Sequence, residues 1–363
     1  MVDRPASGSA RTVDETTLVA RGIAAAIAPK EGLEPIQASL LDAVLEAETG
    51  VAVACATLEP IEPDAFAAAL ADHGQAFKHR IVHLMVLGEL ILRPIPLGVA
   101  KRVAEYSTAL GVDDRFVRVA RRYAQGAFGL AWVDLHRSGF AEHWEMARMD
   151  QLKTSVRLPD QLSTGVEEQE LARRWAAFEH LPGGSLGRSV WDMYVGRGFA
   201  IPGSSGGASA YLAQHDFVHV LADYGTNLNG EIEVFGLIGR ADPDPKGFAW
   251  LTTLIGLFET GYVADAGFFS GDLRERRLDS PEMHARLADA LRRGSILCDN
   301  LRVDLLEVDY HDHVERPVGE VREELGFVPK SPDALAAGSA GVFDLEGMSV
   351  IQQQFVAELA RNR

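Results

Sequence analysis

Apolar residues recur at three- and four-residue spacing along most of this chain, and alternating apolar and polar runs bounded by Asn-Gly or Asp-Gly are nearly absent. Three-to-four spacing gathers side chains on one face of a helix, whereas a half-buried strand needs a period of two. The pattern therefore predicts a mainly α protein. In the first half "PDAFAAALADHG", "FKHRIVHLMVLGELIL", "GVAKRVAEYSTALGV" and "DDRFVRVARRYAQGAFGLAWVDLHR" read as amphipathic helices joined by turns bearing Pro or Gly. A second helical set runs from "ELARRWAAFEHLP" to "PVGEVREELGFVP".

A length of 363 residues, at roughly 100–200 residues per domain, points to two domains. The expected organisation is a disordered tail over 1–13, a separate helical bundle over 14–150, a polar linker over 151–175 and a second helical domain over 176–330. A small-residue, flexible segment, "SPDALAAGSAG", and a last helix then fill 331–363. No internal repeat of solenoid period is present.

Lys and Arg number 35 against 52 Asp and Glu, a formal charge of −17, so nucleic acid is not an expected partner. Cys55 and Cys298, one in each half, give no disulfide framework and no thiolate zinc site, which fits a reducing compartment. Two apolar runs invite a membrane reading. "IVHLMVLGELILRPIPLGVA" contains His83, Glu89, Arg93 and two prolines, and "FAWLTTLIGLFETGYVADAGFF" is broken by Gly256, Glu259 and Gly261. Charges near the middle of a span cost at least a few kcal/mol each, so both are expected as buried helices. Arg115, Arg118, Arg121 and Arg122 lie close together, and a solvated face balancing Asp113 and Asp114 accounts for them better than an anion site does.

The chemistry concentrates in "QHDFVHVLADYGTNLNGEIE", residues 214 to 233. On a helix over 206–223, His215 and His219 stand four apart and share a face, with Asp216 about 100° further round. Glu231 can return on an antiparallel helix to complete a set of four. Two imidazoles and one or two carboxylates suit Zn²⁺ and tolerate Mg²⁺, Fe²⁺ or Mn²⁺, and so few protein ligands leave open positions of the catalytic kind. From these residues alone a pair of hydrogen-bonded core histidines explains the pattern equally well. Asp223 fits a helix end better than a ligand, and successive His311, Asp312 and His313 point in different directions.

H-D-x-x-H, eleven residues, then E, between the flanks "LPGGSLGRSVWDMYVGRGF" and "VERPVGEVREELGFVP", resembles the coenzyme Q biosynthesis protein four family, here the Coq-four family, over about residues 176 to 330. "LILRPIPLGVAKRVAEYSTALGVDD" is similar to TerB-like helical domains, a likeness that assigns no function. The Coq-four resemblance implies metal ligation by His215, Asp216, His219 and Glu231, with Gly230 letting the backbone turn before the last ligand. The sequence departs from the family at Val218, where Trp is usual, and at Asp223, where Gly is usual, and it adds the N-terminal helices.

The same resemblance implies peripheral membrane contact from the cytoplasm, binding of a prenylated quinone precursor or other isoprenoid lipid, other quinone-biosynthesis proteins as partners, and homo-oligomers. Its implied reaction is oxidative decarboxylation of the aromatic head group, a lyase activity in which Glu231 or Asp216 would move protons. A prenyl tail needs an apolar wall, and Leu251, Leu254, Ile255, Leu257 and Phe258 are the expected one, although core packing explains each of them singly. No flavin or nicotinamide fingerprint of the G-x-G-x-x-G type is present. A non-catalytic isoprenoid-binding scaffold and a zinc hydrolase using Asp216 as base remain as alternatives.

Overall fold

The computed structural model describes residues 12–113, 115–125, 169–205, 207, 213–243, 251, 277–301 and 304–361. Among them are fourteen α-helices, several short 3₁₀ turns and no strand, as the periodicity predicts. Helices α1 to α6 are Val13–Ile27, Pro35–Thr49, Pro63–Ala69, Gln75–Leu90, Leu97–Ala109 and Arg115–Ala124. Helices α7 to α14 are Gln169–Ala176, Leu186–Arg197, Gln214–Ala222, Leu228–Ala241, Pro281–Asn300, Val318–Leu325, Pro332–Ala336 and Val350–Arg361.

Local signals set the ends of these helices. Thr12 accepts a hydrogen bond from the Glu15 N–H at the start of α1, and Pro35 opens α2, where a missing N–H costs nothing. In the core of the first set, the buried Gln37 amide donates to the carbonyls of Ile27 and Gly88, both at 2.9 Å, and ties α1, α2 and α4 together. On α6, Arg118 pairs at 2.9 Å with Asp113 across an exposed face, the solvated arrangement expected of that arginine cluster.

The two helical sets share one apolar core, which runs without a break from Val19 to Val342. The bundle expected to stand separately is thus joined to the rest, because α11 packs along α10 on one side and α2 on the other. Across that contact Arg240 Nε meets Glu48 Oε1 at 2.6 Å, both side chains almost wholly buried, and Arg240 also donates to Ser295. His284 Nδ1 lies 2.8 Å from Ser39 Oγ. Removing one partner of a buried pair strands the other charge, which typically costs about 3–5 kcal/mol, whereas replacing both by apolar groups is often nearly neutral. Glu48→Leu should therefore lose about 3–5 kcal/mol in urea unfolding, and Glu48→Leu with Arg240→Met should recover most of it. A single-variant loss below about 1 kcal/mol would show that the pair is not a buried anchor.

Three other expectations meet the structure here. Residues 169–175, assigned to the linker, belong to α7, whose Leu171 and Trp175 are buried; the remainder, 151–168, lies outside the described residues. The segment expected to be flexible holds α13, capped by Ser331, and a run from 339 onward that is hydrogen-bonded to the body of the protein. Leu251 is buried in the core, whereas Leu254, Ile255, Leu257 and Phe258 lie outside the described residues. Among the described residues, no helix is long and apolar enough to cross a membrane.

Candidate metal centre

Helix α9 carries the paired histidines and is anchored at both ends. At its start the buried Gln214 amide donates to the carbonyls of Leu306 and Val308 at 3.0 and 2.8 Å. At its end Arg322 donates to the carbonyls of Val220 and Leu221, and Arg293 to that of Ala222. Last-turn carbonyls have no partner within a helix and carry its negative pole, so guanidinium groups suit them. Phe217 faces away from the histidines and stacks on Tyr310, with ring centroids 4.9 Å apart. Val218 is fully buried.

Asp223 then turns the chain with φ 60°, the one positive-φ residue other than Gly among the described residues. Left-handed backbone favours Gly and tolerates Asp. Its carboxylate accepts a hydrogen bond from the Val342 N–H at 3.1 Å, so it acts at the helix end and not at the metal. Helix α10 starts after Asn227, whose side chain accepts the Gly230 N–H at 2.9 Å, and places Glu231 in its first turn. Gly230 is required for a reason other than tight turning: a Cβ there would collide with the Gly225 carbonyl.

One ligand atom each from His215, Asp216 and His219 lies within 4.8 Å of the others, the one such group of three or more among the described residues. Glu231 stands against both imidazoles, 3.6 Å from His215 Nε2 and 3.3 Å from His219 Nε2; Asp216 Oδ1 is 3.6 Å from His215 Nε2. Two ligands held about 2.0–2.1 Å from one ion at tetrahedral angles stand about 3.3–3.4 Å apart, so His215, Asp216 and His219 could hold one cation, with Glu231 beside that group and not part of it.

Hydrogen bonding supports the same fit. His219 is fully buried, and its Nδ1 faces the Tyr224 carbonyl at 3.2 Å, which accepts only if Nδ1 carries the proton. Nε2 then lies 3.3 Å from the Glu231 carboxylate. A positive charge between the two, either a proton on Nε2 or a bound cation, satisfies both groups. Burial pushes the Glu231 carboxyl up, but the His219 and His215 imidazoles outweigh burial and hold it at about 2, so it remains an anion. Burial raises Asp216, against the opposing pull of the same imidazoles and of Tyr194.

The Tyr194 hydroxyl of α8, fully buried, donates to Asp216 Oδ2 at 2.5 Å and leaves Oδ1 toward the histidines. Sequence reading quoted the segment holding Tyr194 as a flank and gave the residue no role; nothing local links it to an aspartate 22 positions on. Outer partners of this kind are worth about 10- to 100-fold in metal affinity. Tyr194→Phe should therefore weaken Zn²⁺ binding by about that factor with the fold intact, and an unchanged affinity would remove Tyr194 from the centre.

His311 lies outside the centre, packed against Trp175, Phe178 and Phe217, and His313 Nδ1 lies 3.1 Å from Arg316. Neither they nor Asp312 joins a metal group.

The chain matches no protein-family model, no curated protein and no solved structure. The centre therefore stands on its own geometry.

Proposed function

We propose that the chain is a metal-dependent protein of the Coq-four type, with His215, Asp216, His219 and Glu231 holding a divalent ion. Zn²⁺ ranks first by its donor set, and Mg²⁺, Fe²⁺ and Mn²⁺ are the other candidates. The observation that carries the reading is the buried grouping of His215, Asp216 and His219 within 4.8 Å, with Glu231 3.3 Å from His219 Nε2. The ligand we propose is a prenylated aromatic acid, and the reaction is oxidative decarboxylation of its head group. Support for this half comes from the H-D-x-x-H and Glu spacing between the two family-like flanks.

When bound, the ion supplies Lewis acidity toward a carboxylate or phenolate oxygen. Tyr194 fixes which oxygen of Asp216 faces the centre, and the Tyr224 carbonyl fixes the tautomer of His219. His215 is the most open of the four, and Phe235 stacks on its ring at 5.2 Å, so an aromatic head group would approach along that apolar side. Oxidation also needs an electron acceptor, either a redox-active ion or a partner flavoenzyme. A hydrolase with Asp216 as free base fits less well, since Tyr194 already occupies one of its oxygens.

The test is calorimetric titration of purified protein with a geranylgeranyl-type compound, followed by single turnover of a prenylated hydroxybenzoate with O₂ or an oxidised flavin supplied as the electron acceptor. Each buried CH₂ contributes about 0.8 kcal/mol, so even a short isoprenoid should bind measurably. Binding with release of CO₂ supports the enzyme. Binding without turnover reduces it to an isoprenoid scaffold, and no binding replaces the lipid by a water-soluble substrate.

A further inference from the structure

The turn between α9 and α10, residues 223–227, delivers His219 on one side and Glu231 on the other, and the chain's own C-terminal segment encloses it. The Gly225 N–H donates to the Ala340 carbonyl at 3.1 Å, and the Thr226 and Asn227 N–H groups donate to the Gly347 carbonyl at 2.7 and 2.9 Å. The Asn227 side chain donates to the Glu346 carbonyl at 2.7 Å, and Val342 N–H returns a bond to Asp223. Below them Thr226 Oγ1 donates to the buried Gln352 at 3.0 Å and accepts from Arg197 at 2.6 Å, while Arg197 also donates to the Val342 carbonyl. Every backbone N–H from Gly225 to Asn227 is thus held by residues more than 100 positions later in the chain.

This closeness depends on absent side chains. A Cβ on Gly347 would lie 2.9 Å from the Gly225 Cα and 2.5 Å from the Gly341 carbonyl oxygen, and backbone cannot yield as a flexible side chain does. From below the turn, the Arg293 guanidinium and the Lys330 ammonium sit 4.8 and 5.1 Å from the centre of the Tyr224 ring. Lys330 also donates to the carbonyls of Ser339 and Ala340, and so joins strap and turn.

We propose that residues 339–352 form a built-in strap that sets the geometry of the metal centre, with Gly347 as its positioning residue. The proposal rests on the metal reading above for its consequence and on the turn alone for its structure. With the strap seated, the Tyr224 carbonyl faces His219 Nδ1 and Glu231 starts α10 in register with both imidazoles. Loosening it lets the two ligand-bearing helices separate while the distant core stays packed.

Gly347→Ala and the near-isosteric Thr226→Val, in the full-length chain, test this by two readouts. The first is Co²⁺ loading, with its visible absorption as a reporter of coordination. The second needs no metal: the ¹⁵N shifts of the His219 ring, which report whether Nδ1 carries the proton. Both variants should lose about 10- to 100-fold in Co²⁺ affinity, change the absorption band and shift His219 away from a pure Nδ1–H tautomer. Glu48→Leu, destabilised far from the strap, should change neither the band nor the tautomer. Should Gly347→Ala fail to fold, Thr226→Val carries the test. Unchanged affinity and tautomer in a folded variant would overturn the strap, as would equal changes in Glu48→Leu. If wild-type protein gives no Co²⁺ band but the tautomer shifts as stated, the metal reading fails and the strap stands.

Discussion

His219→Gln should reduce Zn²⁺ affinity by more than about 100-fold, beyond the ~10- to 100-fold typical of losing an outer partner. His219 is the one member of the set with no exposure, and its Nε2 faces Glu231 at 3.3 Å. Gln reaches about as far as Nε2 but puts a weakly ligating neutral amide there and leaves Glu231 buried opposite it. Asp216→Asn should cost less, since an amide oxygen can take the place of Oδ1, although its NH₂ group is poorly matched to the Tyr194 hydroxyl. Competition titration against a chelator of known affinity measures both variants. Equal losses, or a larger loss at Asp216, would mean that the roles of the two residues are misassigned.

Glu89→Gln should stabilise the protein at neutral and alkaline pH, the largest gain expected from a single substitution. Glu89 lies on α4 in the middle of the first helical set, fully buried, and neither carboxyl oxygen has a hydrogen-bond partner. Burial alone pushes its carboxyl well above the ordinary value of 4.5. The sign follows from proton counts: above pH 4.5 the unfolded chain has released this proton and the folded chain still binds it. Stability then falls by about 1.4 kcal/mol per pH unit until the folded group ionises, and below pH 4.5 the residue contributes no slope. Gln is nearly the same shape and does not titrate. Denaturant unfolding of both proteins at pH 4, 6 and 8 should give similar values at the lowest pH and a gap favouring Gln that widens upward. Parallel curves would show that Glu89 meets a charge or water within the fold.

The helical class and the grouping of His215, Asp216 and His219 are legible because both depend on local spacing. A period near 3.6 fixes which residues share a face, and the same geometry brings His215 and His219 together. Glu231 was legible only with the assumption of an antiparallel return, which the Asp223 turn and the Asn227 cap supply. Tyr194 was not legible, since its contact with Asp216 is set by the packing of α8 on α9. The segment after Lys330 was misread for a physical reason: its Gly, Ala and Ser content reads as freedom, yet here small size allows two backbones to touch. Likewise the polar stretch before α7 reads as a boundary between domains, while the α2–α11 contact that joins them needs facing surfaces no single helix reveals.

The central claim is that four side chains hold a metal ion, and element analysis of protein purified without added metal tests it most directly. The account predicts close to one equivalent of a divalent ion, Zn²⁺ foremost, lost on chelation together with a fall in melting temperature and restored on adding the ion back. Less than about a tenth of an equivalent of any transition metal, with no rise in melting temperature on adding Zn²⁺ or Mg²⁺, would contradict it, since a bound ion must stabilise the folded state by mass action.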